Sequence, residues 1–376
     1  MAVAEQARRS RLAGVDVARG VALVGMMAVH VFPARVDGVG ETTLVHHLAS
    51  GRAAALFAVL AGVGLALLSG GQRPRVDGAL LRGVVVRALL VTLVGLVLGV
   101  LDSGLAVILV YYGVLFLVAL PLLPLRAPVL AALGVAAAVV TPLVSFLLVR
   151  PSLPERLAEN PSVVLVLTDP AGLLSTLLVT GYYPVLCWTT YLCAGLAAGR
   201  LDLGDRAVQV RLAVAGAALA VAASLLSALL LGPLGGLTAI AADLGPDVDV
   251  RDQVAGNQFG NVPAGGSPWW LATDAPHSST PFDLLHTTGT ALLVLGLALL
   301  LAPRSGAAAR PLAALGTMTL TLYSVHVLVV SLAGRDGSPD VLWGAQVLVY
   351  AAFALLWLSA FRRGPLETAV HSAAGR

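Results

Sequence analysis

The chain has 376 residues, of which 58% are hydrophobic and only 11% charged, and its mean hydropathy is +0.91. A soluble domain carries about a quarter charged residues, so this charge cannot cover a globular surface and lipid has to cover it instead. A formal net charge of +3 excludes nucleic acid as a bulk electrostatic partner.

A helix needs about 20 apolar residues to cross the hydrocarbon core at 1.5 Å per residue. The first such run covers residues 15–33. Arg8, Arg9, Ser10 and Arg11 precede it in the manner of a signal peptide, but Asp16 and Arg19 interrupt the run and no small-x-small pattern closes it. It reads as an uncleaved membrane helix. Further runs follow at 53–69, 83–101, 106–123, 129–149, 173–198, 212–231, 282–301, 312–332 and 341–361. Residues 163–167 are apolar but too short to span, and read as an interfacial piece. Cys187 and Cys193 stand six apart, on different sides of one helix, which makes them small core residues. The longest connection, 232–281, is acidic and rich in Gly and Pro, with Trp269 and Trp270 as interfacial anchors. Its length suits a lid over an outer cavity.

Arginine sets the orientation, since every one of the 23 basic residues is Arg. That, with the abundance of Ala, Val, Gly and Leu, reads as the mark of a GC-rich bacterial genome. With the N-terminus inside, inner segments hold Arg8, Arg9, Arg11, Arg73, Arg75, Arg82, Arg126, Arg200, Arg206, Arg211, Arg304, Arg310, Arg362, Arg363 and Arg376. Outer segments hold Arg35, Arg52, Arg150, Arg156, Arg251 and Arg335, so the bias is 15 to 6. The expectation is an all-α, polytopic membrane bundle of about ten helices with both termini cytoplasmic. It forms a single integral membrane domain over 1–376, with an N-terminal half at about 8–200 and a C-terminal helical part at about 201–365.

Several chemistries lack their signatures. No Walker A loop, dinucleotide-binding glycine fingerprint, HExxH or GxSxG is present. The run Asp247 to Asp252 lacks the Gly and distal Glu of a calcium loop, and no metal is expected. The unusual polar residues are histidines. His30, His46, His47, His277, His286 and His326 all fall toward the outer side, with His371 inside. His30, His286 and His326 sit in or at the edge of apolar runs, where an imidazole is costly unless it faces the protein interior. Asp16 and Arg19 pair at i, i+3, and His30 shares their helical face fourteen residues later. Gly316, Thr319, Tyr323 and His326 make a second polar stripe, and the sixth run carries Tyr182, Tyr183, Trp188, Thr189, Thr190 and Tyr191. Arg87, one turn inside the third helix, either snorkels to the interface or meets an anion.

The opening RLAGVDVARGVALVGMMAVHVF resembles the first helix of the heparan-α-glucosaminide N-acetyltransferase-like transmembrane acyltransferases, which include YeiB-type bacterial proteins. Arg11, Asp16, Arg19, Gly20 and Ala22 fill the R-x-x-x-x-D-x-x-R-G-x-A pattern. HHLASGRAAALFAVLAGVGLALLSGG resembles the family's segment into the second helix, and two late stretches resemble the carboxy-terminal part of YeiB-type proteins. The resemblance implies transfer of an acyl, in particular an acetyl, group from cytosolic acetyl-CoA or another acyl-CoA to an extracytoplasmic glycan or small-molecule amine. It also implies a bacterial cytoplasmic membrane location, and a homodimer is compatible with it. The eukaryotic relative uses a histidine after the first helix, a position that corresponds to His46 or His47. His46, His47, His30 and Arg52 are then the catalytic candidates, with imidazole as base or acyl relay and Arg52 as oxyanion stabiliser. Asp16, Arg19 and Arg87 are the candidates for holding CoA, with the Arg73, Arg75 and Arg82 loop beside them. Tyr191, His286, Tyr323 and His326 would line the substrate cavity. A transporter or exporter is the alternative in another class, and a non-catalytic scaffold a third.

Overall fold

The computed structural model describes residues 2–35, 42–101, 103–153, 159–263, 265–335 and 337–375, with backbone alone for 2–12. Arg156, Arg376 and the side chains of Arg8, Arg9 and Arg11 lie outside the described residues. All regular structure among the described residues is helical, apart from one isolated bridge between Arg35 and Thr42.

Among the described residues, seven helical stretches are long and apolar enough to cross a membrane by length and composition. The first lies within α1 (Ala2–Val31), from Ala13 onward. The second joins α2 (Leu44–Ala49) to α3 (Arg52–Leu68), and the third is α4 (Gly78–Leu98). The shorter α5 (Leu109–Ala119) comes next, and then α6 (Ala127–Val144), which runs on to Ser152 as the fourth stretch. The short apolar piece at 163–167 forms the helix α7 (Val163–Thr168). The expected sixth run is broken. It comprises Pro170–Thr180, which begins with α8 (Pro170–Ser175), and α9 (Val185–Gly199), set at 51° to each other. Pro184 has no N–H to continue the first piece, and it starts the second. The remaining long stretches are α10 (Arg206–Leu231), the run Pro281–Thr317 and α16 (Pro339–Ala360). That middle run contains α13 (Pro281–Ser305) and α14 (Arg310–Thr317). The expected ninth run, 312–332, is split at Met318 between α14 and α15 (Thr319–Ala333).

Glycine sets how closely these helices cross. An added Cβ at Gly316 would lie 1.7 Å from the Asp16 carbonyl oxygen, and one at Gly20 would lie 2.0 Å from that of Leu312. The backbones of α1 and α14 therefore touch, and a side chain on either glycine would part them. Gly195 on α9 makes the same approach to Val59 of α3, with 1.9 Å to its carbonyl oxygen.

Two devices tie the arginine-rich end together. The buried Arg200 guanidinium donates to the carbonyls of Ala66, Gly71 and Leu123 and to Ser69 Oγ, joining the ends of α3 and α9 to the turn before α6. Burial alone pushes its pKa down. The last helix, α17 (Pro365–Ala373), turns back against the bundle. Its Glu367 carboxylate accepts from the N–H groups of Leu320 and Thr321 and from Thr321 Oγ1, at 2.6 to 3.1 Å. A carboxylate at the start of α15 satisfies orphan donors and complements the helix dipole.

At the opposite end, the long loop is a folded cap. It contains α11 (Gly236–Leu244) and α12 (Val250–Ala255), and Trp270 is its core, packed with Phe146, Ile240, Val254 and Val262. The sequence expectation of an interfacial anchor at Trp270 is thereby corrected, since its ring is only 2% exposed. The acidic run serves the cap as well. Asp249 accepts from the N–H groups of Arg251 and Asp252, and Asp252 pairs with Arg35.

Candidate functional site

A cavity of about 830 Å³ enters the bundle from the arginine-rich end. Its mouth is lined by Arg19, Arg87, Arg362, Arg363 and His371, with Asp16 beside Arg19. The expected i, i+3 pair forms, with Arg19 Nη1 donating to Asp16 Oδ1 at 3.1 Å. His371 lies below its ordinary pKa, first through partial burial and then through the positive charges of Arg363 and Arg87. It is therefore neutral at pH 7, and the arginines carry the mouth's positive charge. Beyond them the walls turn apolar, with Phe57, Leu60, Val91 and Phe116. At 1.5 Å per residue the cavity extends about 15 Å along α1, from Asp16 to Met26. Ile108, Tyr112 and Tyr323 also line it.

One helical turn beyond Met26 and Tyr323 lie His30 and His326. Their rings are stacked at 5.2 Å between centroids, and His30 Nδ1 is 3.0 Å from His326 Nε2. His326 Nδ1 is 2.8 Å from the Gln346 side-chain oxygen on α16. That oxygen only accepts, so His326 carries its proton on Nδ1 and its lone pair on Nε2. His30 must then donate from Nδ1, which leaves His30 Nε2 with the free lone pair of a base. Arg335 holds the end of α1 over the pair. It donates to the carbonyl oxygen of His30 at 3.3 Å and to those of Ser103 and Gly104. Of seven histidines, the two that meet are 296 residues apart in sequence.

The other expected site residues form a second cluster toward the cap. Arg52 Nε donates to His286 Nε2 at 3.0 Å, and His286 Nδ1 is 2.8 Å from Ser224 Oγ, which donates to Asp274 of the cap at 2.6 Å. The serine proton points to the carboxylate, so the chain runs from guanidinium to carboxylate as a fastening rather than as an activated nucleophile. Tyr191 OH bonds to Thr287 Oγ1 at 2.7 Å. Tyr191 and His286 thus lie outside the lining of the 830 Å³ cavity, while Tyr323, Asp16, Arg19 and Arg87 are within it. His46 Nε2 bonds to the Phe32 carbonyl at 3.0 Å, and His47 is exposed. The Arg73, Arg75 and Arg82 loop does not contribute to the cavity lining.

His277 of the cap is buried against Tyr183, with ring centroids 5.6 Å apart. Burial, and then the charge of His46, push its pKa from 6.5 down to about 4. The neutral imidazole therefore stabilises the fold in full above about pH 6.5, and that contribution is lost as pH falls through about 4. The total is roughly 3 kcal/mol. His277→Asn, which suits the left-handed backbone at this position (φ 56), is expected to flatten thermal stability between pH 6.5 and 4. An unchanged acid slope would place the loss elsewhere.

Residues 11–229, more than half of the chain, match the profile of the heparan-alpha-glucosaminide N-acetyltransferase catalytic domain. The chain belongs to that family. No curated protein matches it closely enough to add to this. As a member of the acetyltransferase family with seven stretches long and apolar enough to cross a membrane among the described residues, it is a multi-pass membrane protein. The matched region covers the cavity residues of α1, α3, α4 and α5 and His30. His326, Gln346, Tyr323 and the Arg362, Arg363, Glu367 and His371 wall come from beyond it.

Tyr112, Arg362, Arg363, Glu367 and Gln346 escaped the reading of the sequence. Arg362 and Arg363 carried a signal only as inner-loop charge. Gln346 and Tyr112 each sit inside an apolar run, and an intramembrane polar group deserved the weight given there to histidine.

Proposed function

We propose that the chain is a membrane acetyltransferase that binds acetyl-CoA in the 830 Å³ cavity and transfers the acetyl group at the His30–His326 pair. In this reading the bundle has about ten spans with both termini cytoplasmic, in a bacterial cytoplasmic membrane. The single observation that carries it is a cavity with four arginines at its mouth that ends one turn short of a hydrogen-bonded imidazole pair. Guanidinium groups suit the phosphates of CoA. The apolar shaft suits an extended pantetheine arm, and its far end brings a thioester to His30.

The reaction follows from the tautomers. The amine or hydroxyl of an outer-face acceptor attacks the thioester carbonyl carbon while His30 Nε2 takes its proton. A C–N or C–O bond forms, the C–S bond breaks, and the imidazolium returns the proton to the CoA sulfur. His326 accepts from His30 Nδ1 throughout, and Gln346 holds His326 in the required tautomer. A small glycan or amine acceptor approaching from the cap end fits this arrangement.

The test is release of free CoA from acetyl-CoA by the full-length chain in lipid nanodiscs, with amino sugars and amines as acceptors. Arg363→Ala is expected to raise KM for acetyl-CoA about ten-fold, with kcat nearly unchanged, through loss of one charge-assisted phosphate contact. Absence of both acetyl-CoA binding and CoA release would overturn the assignment.

A further inference from the structure

We propose that Tyr112 and Tyr323 form an oxyanion hole, two phenol O–H groups that donate to the carbonyl oxygen of the acyl-CoA thioester. The inference rests on acetyl-CoA occupying the cavity and assigns the groups that act on its reacting atom. Tyr112 lines the cavity, yet its hydroxyl is buried and has no hydrogen-bond partner among the described residues. An orphaned buried hydroxyl costs roughly 1–3 kcal/mol, and the residue that carries it lines a space of ligand size. Its ring is held edge-on by Phe116, with centroids 6.3 Å apart, so the phenol has a fixed direction.

Tyr323 supplies the second donor in a different way. Its oxygen accepts the Ile108 N–H at 3.2 Å. That bond fixes the phenol oxygen and leaves its own proton to be donated. Tyr323, Ile108 and Tyr112 all line the same cavity, from α15, from the residue preceding α5 and from α5 itself. The cavity's inner end is otherwise apolar, with Met26, Leu60 and Phe57 around it. Water there would be poorly held, and a donor aimed at developing negative charge acts most strongly in such a setting.

The chemistry needs donors at this level and no higher. When the acceptor's lone pair adds to the carbonyl carbon, the C=O π electrons move onto oxygen. Two O–H donors hold that oxygen without giving up their protons. Collapse returns the electron pair to the C=O bond and expels the CoA thiolate, and the acceptor's proton passes through His30 Nε2 to sulfur. The base and the donors thereby occupy adjacent layers, with His326 one turn beyond Tyr323 on α15 and His30 one turn beyond Met26 on α1.

The experiment is isotope-edited infrared spectroscopy of [1-¹³C]acetyl-CoA bound to the full-length chain in nanodiscs, with binding measured in parallel. The wild-type thioester band is expected below its position in water. Tyr112→Phe should return it part of the way and cut kcat on the order of 100-fold, while Kd stays within about three-fold. Tyr323→Phe should do the same, and should that variant fail to fold for want of the Ile108 bond, Tyr112→Phe decides alone. Ethyl-CoA, which lacks the carbonyl, should bind wild type and Tyr112→Phe equally. Binding of acetyl-CoA with the band at its aqueous position, or a band unmoved by Tyr112→Phe, would overturn the oxyanion hole and leave the acetyltransferase reading intact. Equal weakening of ethyl-CoA and acetyl-CoA by Tyr112→Phe would overturn it too, by moving the phenol to the pantetheine arm. Failure of wild type to bind acetyl-CoA at all would refute both.

Discussion

His30→Gln is expected to lower acetyl transfer about 10³-fold, within the range that a positioned proton-transfer group contributes, while acetyl-CoA still binds. The glutamine amide can still donate toward His326 Nε2, so the layer stays joined, but it has no lone pair of suitable basicity. Loss of activity with retained stability is therefore the signature of a base and not of a packing residue. The arm that decides is the comparison with His46→Ala and His47→Ala. His46 spends Nε2 on the Phe32 carbonyl and His47 is exposed, so each should lose less than about ten-fold by the same proton-transfer scale. The opposite ranking, with His30→Gln active and His46→Ala dead, would move the chemistry into the segment after the first helix, where the family resemblance alone places it. A His326→Ala variant should fall between them, because His30 then loses the acceptor that fixes its tautomer.

Gly316→Ala carries the largest structural effect expected. Its Cβ would sit 1.7 Å from the Asp16 carbonyl oxygen and 2.9 Å from the Gly20 nitrogen. Both obstacles are backbone, so no side-chain rotation relieves the clash and α14 has to move away from α1. Overpacking of this kind costs typically 1–3 kcal/mol and sometimes more, and the upper end applies here. A Tm drop of roughly 5–10 °C follows from the usual scaling for a chain of moderate size. Because Asp16 and Gly316 also line the cavity, acetyl-CoA affinity should fall with it. Thermal unfolding in detergent reads the first effect and equilibrium binding the second. A variant with wild-type Tm would mean that the two helices do not cross so closely.

The apolar runs were plain in the sequence because composition alone decides them, and each of the ten has a helical counterpart. Direction was not plain. Hydropathy runs straight through Gly181, Tyr182, Tyr183 and Pro184, although a proline after a glycine was the available sign of a break. The split at Met318 had no local sign at all, since the carboxylate that caps α15 is Glu367, 47 residues further on. The Asp16–Arg19 pair was legible because both partners are three residues apart on one helix. His30 with His326 was not, since each helix advertises a polar face and nothing in either names its mate. Trp270 misled for a related reason. A tryptophan in a loop beside membrane spans suggests a lipid interface, but this loop has enough apolar residues in Ile240, Val254 and Val262 to bury it.

The returning tail has a practical bearing. Because Arg362, Arg363, Glu367 and His371 follow the final span yet border the ligand chamber, shortening the protein after Phe361 would strip one side from the vestibule and uncap α15. Fusion partners and epitope labels are better introduced into the cap's surface than close behind α17.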